Sequence, residues 1–116
     1  MNILETIKSR NQQLYEMRLA IIDDIAAIMN QHKVTSVDIT EADDPLDVCW
    51  WSHKGDLYEV RVNSVNIDEN GIVSMTANWF EEDEDIEIGP DDFTMQNPYW
   101  LNQAYEAVCQ MLGEIQ

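Results

Sequence analysis

The chain has 116 residues, an apolar fraction of 45% with four Trp, and 23 acidic residues against six Lys and Arg, a formal charge of −17. That length suits one domain, 1–116, with a modest core that needs neither disulfide nor metal, and the apolar content excludes a disordered chain. The charge repels nucleic acid and anionic lipid, which argues against direct binding to either, and it either favours a basic protein partner or serves solubility alone.

The charge is unevenly placed. Residues 1–33 balance Glu5, Glu16, Asp23 and Asp24 against Lys8, Arg10, Arg18 and Lys33, for a net of zero. Residues 34–92 hold seventeen acids against Lys54 and Arg61, and Glu106 and Glu114 complete the total. The opening MNILETIKSRNQQ has no apolar run of the kind a signal peptide needs. The longest apolar stretch, LAIIDDIAAIM, is interrupted by Asp23 and Asp24 and is too short to span a bilayer. A soluble, cytoplasmic protein is the expectation.

The first element is a long helix, from about Asn2 to Gln31. Ile7, Leu14, Ile21 and Ile28 recur every seven residues, and Met17 and Ile25 fill the same stripe. Its length, about 45 Å at 1.5 Å per residue, exceeds the roughly 35 Å diameter of a domain this size. The N-terminal end must overhang, break near Ser9–Gln13, or lie against another subunit.

The period then changes to two. VTSVDIT (34–40) and LDVCWWS (46–52) predict strands, with EADDP between them as a turn signal. HKGD (53–56) predicts a tight hairpin turn in which Gly55 supplies a positive φ. LYEVRVNSVNI (57–67) and IVSMTANWF (72–80) flank a second hairpin turn, DENG. The apolar phase slips between Val62 and Val65, which predicts a bulge at Asn63-Ser64. A short strand at Ile86–Ile88 follows the acidic run. Asn97-Pro98 reads as a helix N-cap with Pro at the first helical position, and Leu101, Ala104, Tyr105, Val108 and Leu112 form that helix's apolar stripe. The fold class is α+β: a four- or five-stranded antiparallel meander packed against a long N-terminal helix and a C-terminal helix.

Strand alternation divides the sheet into two faces. Trp50 is read with the core, alongside Tyr58, Val60, Val62, Val73, Met75, Ala77 and Trp79. The opposite face carries Trp51, Leu57, Arg61, Ile72 and Phe80 among polar neighbours, and this set is the candidate partner surface. Its acidic rim is Glu81, Glu82, Asp83, Glu84, Asp85, Glu87, Asp91 and Asp92. The rim reads first as a solvated segment that protects a strand edge. It lacks the alternate-position oxygen ligands and early Gly of a helix-loop-helix calcium site.

Cys49 and Cys109 read as free, buried thiols. Cys49 and His53 would stand about 13 Å apart on an extended strand, too far for one zinc ion, and His32 reads as a helix-end residue. No metal, cofactor or catalytic residue is assigned, since there is no nucleophile elbow and no phosphate-binding glycine loop. The leading expectation is a non-catalytic interaction or assembly module with an unidentified, basic protein partner or a second copy of itself. The alternatives are an acidic DNA mimic that captures a basic nucleic-acid-binding protein, and a small enzyme or ligand-binding domain.

Overall fold

A computed structural model describes residues 3–42, 49–79 and 84–113; within these, the side chains of Leu4, Thr6, Ile7, Lys8, Cys49–His53, Leu57 and Phe93 lie outside the description. The elements are α1 (Ile3–Gln31), β1 (Ser36–Asp38), β2 (Cys49–His53), β3 (Asp56–Ile67), β4 (Val73–Trp79), β5 (Glu84–Ile88), α2 (Phe93–Gln96) and α3 (Pro98–Met111). The architecture is α+β, with an antiparallel sheet of order β1-β3-β4-β5 in which β2 also pairs with β3. Strands β2 to β5 form the expected meander.

The first two strands do not pair with each other. Val65 is flanked by Val37 and Met75, and Val60 by Cys49 and Trp79, so β1 and β2 occupy successive stretches of one edge of β3. A turn follows β1 directly, where Ala42 N donates to Ile39 O at 3.2 Å, and the rest of the EADDP turn signal lies outside the described residues. Twelve residues of β3 make the shared edge possible, because one strand that long can serve two short neighbours on one side.

Each turn follows from its residues. Lys54 (φ 52°) and Gly55 (φ 84°) link the paired His53 and Asp56, two successive positive-φ residues that match the right-handed strand twist. At the next hairpin the Gly71 amide donates to the Asp68 carbonyl at 3.0 Å, and Asp68 N donates to Ile72 O at 3.1 Å. Asp68 Oδ1 accepts from the amides of Asn70 and Ile72. The predicted bulge is present: the β3–β4 register shifts between Val62 and Ser64, leaving Asn63 as the extra residue.

That bulge keeps one face of β3 apolar on both sides of the slip. Val60, Val62, Val65, Ile67, Val73, Met75, Ala77 and Ile88 are buried beneath Ile25 and Met29 of α1 and Leu101, Ala104 and Val108 of α3. Asn97 caps α3 by accepting from Tyr99 N at 2.9 Å, with Pro98 in the first turn. The single turn of α2 just before it was not anticipated.

Helix α1 runs unbroken for 29 residues, about 43 Å, in a molecule whose longest dimension is 46 Å. It ends in a Schellman motif. Val34 N donates to Met29 O and Lys33 N to Asn30 O, both at 3.1 Å, with Lys33 at φ 57°. Among the described residues no helix is long and apolar enough to cross a membrane.

Candidate functional site

Among the described residues, it is the C-terminal part of α1 that packs into the core. Ile21, Ile22, Ile25, Ile28 and Met29 pack into or against the core. Residues 9–17 are all exposed, so the apolar stripe leaves the body at Met17 and Leu14 and meets Arg10 one turn earlier. Leu14 and Tyr15 are each 51% exposed and Met17 is 52% exposed. Helix α1 does not break near Ser9–Gln13, and residues 9–17 stand exposed on the single chain.

A groove opens where the overhang leaves the body. One hollow of about 330 Å³ is lined by Leu14, Tyr15, Arg18 and Gln96, and another of about 360 Å³ by Leu14, Gln96, Asn97 and Pro98. The shared Leu14 and Gln96 make them one furrow between α1 and the junction of α2 with α3. The Arg18 guanidinium carbon lies 5.1 Å from the Tyr15 ring centroid, close enough for cation–π attraction. Arg18 Nε is buried with no hydrogen-bond partner among the described residues. Beyond Pro98, Tyr99 is largely exposed and meets Trp100 edge-on at 5.2 Å. Apolar and aromatic surface beside one cation is the composition of a protein-binding patch.

The sequence-predicted partner surface fares differently. Phe80 lies outside the described residues, as do the side chains of Trp51 and Leu57. The register sets Trp51 opposite Tyr58 and Trp50 opposite Glu59. Tyr58 meets Trp79 edge-on at 4.7 Å beside Val60, so position 51 belongs to the strand phase of the core. This reverses the sequence assignment. The run CWW places a Trp in both phases, and alternation alone had no means of choosing between them.

Arg61 and Ile72 are both exposed, but they are not neighbours. Arg61 pairs with Asn78, whereas Ile72 sits in the far hairpin level with Asp68. Seven residues of strand separate the two levels, about 23 Å. Among the described residues the open face of the sheet is otherwise polar. Ser36 Oγ and Ser64 Oγ donate to Asn66 Oδ1, and Asn66 Nδ2 donates to Thr76 Oγ1 at 2.9 Å.

In the acidic rim, Glu81, Glu82 and Asp83 lie outside the described residues. Glu84, Asp85 and Glu87 are exposed on β5, an outer strand of the sheet, so the strand begins inside the acidic run. Carboxylates there discourage pairing with another chain. Asp91 is exposed, while Asp92 is half-buried and accepts from Gly89 N at 2.7 Å. Among the described residues no three His, Cys, Asp or Glu side chains are grouped to hold one metal ion. Cys109 is a buried free thiol, as expected.

The furrow residues Arg18, Gln96, Asn97 and Pro98 were missed as a group, because nothing in the sequence links position 18 to position 96. The exposure of Leu14 did have a signal, the mismatch between helix length and body diameter. No family model, curated protein or solved structure matches the chain.

Proposed function

We propose that this chain is a non-catalytic interaction module that docks a protein partner along the exposed half of α1. The observation that carries the reading is the unbroken apolar stripe, buried at Ile25 and Met29 and half exposed at Leu14 and Met17. A helix face that stays apolar beyond its own body has an incentive to be covered. The adjoining furrow supports the same face, since an inserted side chain would meet Leu14, Tyr15 and Pro98. The mode would be helix against helix, read through anchors at helical spacing.

The test is a Leu14→Asp, Met17→Asp double variant, tagged and compared with the unaltered chain by native mass spectrometry from its own host cell. Loss of assembly at unchanged melting temperature is the expected result. An assembly that survives both charges would refute this face.

The rival reading, a DNA mimic, draws on exposed carboxylates of the open sheet face. In register, Asp38, Ser64, Thr76 and Glu87 form one row, and Arg61, Asn78 and Asp85 another. Neutral side chains therefore separate the acids, and a base stands among them, which suits phosphate imitation poorly. Its test is competition against a DNA-bound basic protein at low salt, where failure to compete removes the rival.

A further inference from the structure

We propose that the α1 face takes an acidic amphipathic helix of another protein, one whose apolar anchor has a carboxylate about one turn to either side. The proposal rests on the docking reading above and adds the chemistry of the partner.

Spacing defines the face. Arg10, Leu14 and Arg18 follow one another at intervals of four, which sets them in one row along the helix, with Met17 at its flank. Arg10, Leu14 and Met17 are exposed, and Arg18 is half-buried where the row meets the body. The acids of α1 point elsewhere. At about 100° per residue, Glu5, Glu16 and Asp23 fall on the opposite side from Leu14, and Glu16 already accepts from Gln12 Nε2 at 3.1 Å. From Ser9 to Leu19, this side of α1 bears two guanidiniums and no carboxylate, in a chain whose formal charge is −17.

The surroundings preserve that local sign. Residues 93–113, which supply the far wall of the furrow, carry one acid, Glu106, eight residues along from Pro98, about 12 Å of helix. Asp38, Asp85 and Glu87 stand on the open face of the sheet, away from the helices. Asp92 is engaged with Gly89 N. Asp91 comes closer, since its carbonyl accepts from Gln96 Nε2 at 3.2 Å, but its side chain is exposed.

Arg18 gives an independent sign of a missing acceptor. Its guanidinium lies over Tyr15, and its Nε is buried with no hydrogen-bond partner among the described residues. Such an unsatisfied donor costs stability, and a guanidinium edge is shaped to hold a carboxylate through two parallel bonds. A carboxylate entering the furrow beside Tyr15 supplies the acceptor. Arg10 and Arg18 stand about 12 Å apart along the axis, a distance that two carboxylates eight residues apart span on a facing helix. The anchor between them reaches Leu14 and the hollows it shares with Gln96. A basic helix would set its charges against both guanidiniums.

The test is selection of peptides from a phage-displayed random library on the immobilised full chain, then fluorescence anisotropy with the strongest binder. Enriched sequences should hold Asp or Glu three or four residues to both sides of a large apolar residue. Arg10→Glu, at a solvent-facing site, should weaken that binder about threefold, as exposed pairs do. Arg10→Glu with Arg18→Glu should weaken it at least tenfold, and Arg10→Lys with Arg18→Lys about threefold at most, each at a retained cooperative melt. Raising salt should weaken the unaltered pair and strengthen the reversed one. Enrichment of basic or uncharged peptides that still require Leu14 overturns the acidic partner and spares the docking reading. So does a dimer of the chain itself, seen by sedimentation and dissociated by Leu14→Asp. No enrichment, or binding that ignores both arginines, overturns the proposal. Binding indifferent to Leu14 and Met17 as well overturns both readings.

Discussion

The amide of Ile39 donates to the carbonyl of Asn63 at 2.9 Å, so the bulge of β3 and the point where its neighbouring edge departs coincide. Asn63 is the extra residue that returns Val65 and Ile67 to the face of Val60 and Val62. Deleting Asn63 would remove the bulge and leave Val60, Val62, Val65 and Ile67 in regular alternation on one face. The expected outcome is a chain that still folds but is about 1–3 kcal/mol less stable, since the buried Ile39 amide loses its acceptor. A cooperative melt shifted to lower temperature, with near-ultraviolet dichroism retained, checks it.

Lys33 occupies the left-handed position that closes α1, where an L side chain costs about 1–2 kcal/mol relative to glycine. Lys33→Gly should stabilise the protein by about 1 kcal/mol in urea unfolding. A destabilised variant would show that the lysine side chain contributes more than the backbone strain removes.

At the opposite kind of helix end, Asn97 Oδ1 accepts from Tyr99 N. Asn97→Ala should cost about 1 kcal/mol, the usual consequence of removing a cap. The same urea titration, with an unchanged slope, distinguishes lost stability from a changed unfolded state.

Met75 is fully buried, while Ser74 beside it faces the polar side of the sheet. Met75→Ala should cost about 3 kcal/mol through lost burial and a residual cavity. Ser74→Ala should stay within about 0.5 kcal/mol. Equal effects would contradict the one-sided core.

Asp38 gives the pH dependence. Its Oδ1 accepts from the Thr40 hydroxyl at 2.6 Å and the Thr40 amide at 2.9 Å, and these bonds lower its pKa below the ordinary aspartate range. A carboxylate whose folded pKa is lowered stabilises the fold above its unfolded value, about 3.9, and that contribution disappears as pH falls through the folded value. Asp38→Asn should therefore flatten the acid limb of stability below about pH 4. Carboxyl titration by NMR, with Asp38 still mostly ionised at the ordinary aspartate pKa of about 3.9, is the direct measurement.

The fold was legible where local chemistry decides it. Gly55, the DENG turn, Asn97-Pro98 and the slipped phase near Asn63 each act on their immediate neighbours, and each appears where the residues placed it. Long-range choices were not legible. Nothing local states that β1 and β2 share one edge of β3, or that Trp51 rather than Trp50 aligns with Tyr58. The candidate site shows the same division. Periodicity revealed the stripe of α1, but only the packed body reveals where cover ends, between Leu14 and Ile21, and which residues of α2 and α3 stand beside it.

The broken edge of the sheet has a consequence for how such a chain can change. Each half takes its alignment from β3 alone, on one side through Val37 and on the other through Cys49. The register of one half is therefore no constraint on the register of the other, so a slip of β1 by one residue would leave the faces of β2 unchanged. A single continuous neighbour of β3 would transmit such a slip along its whole length.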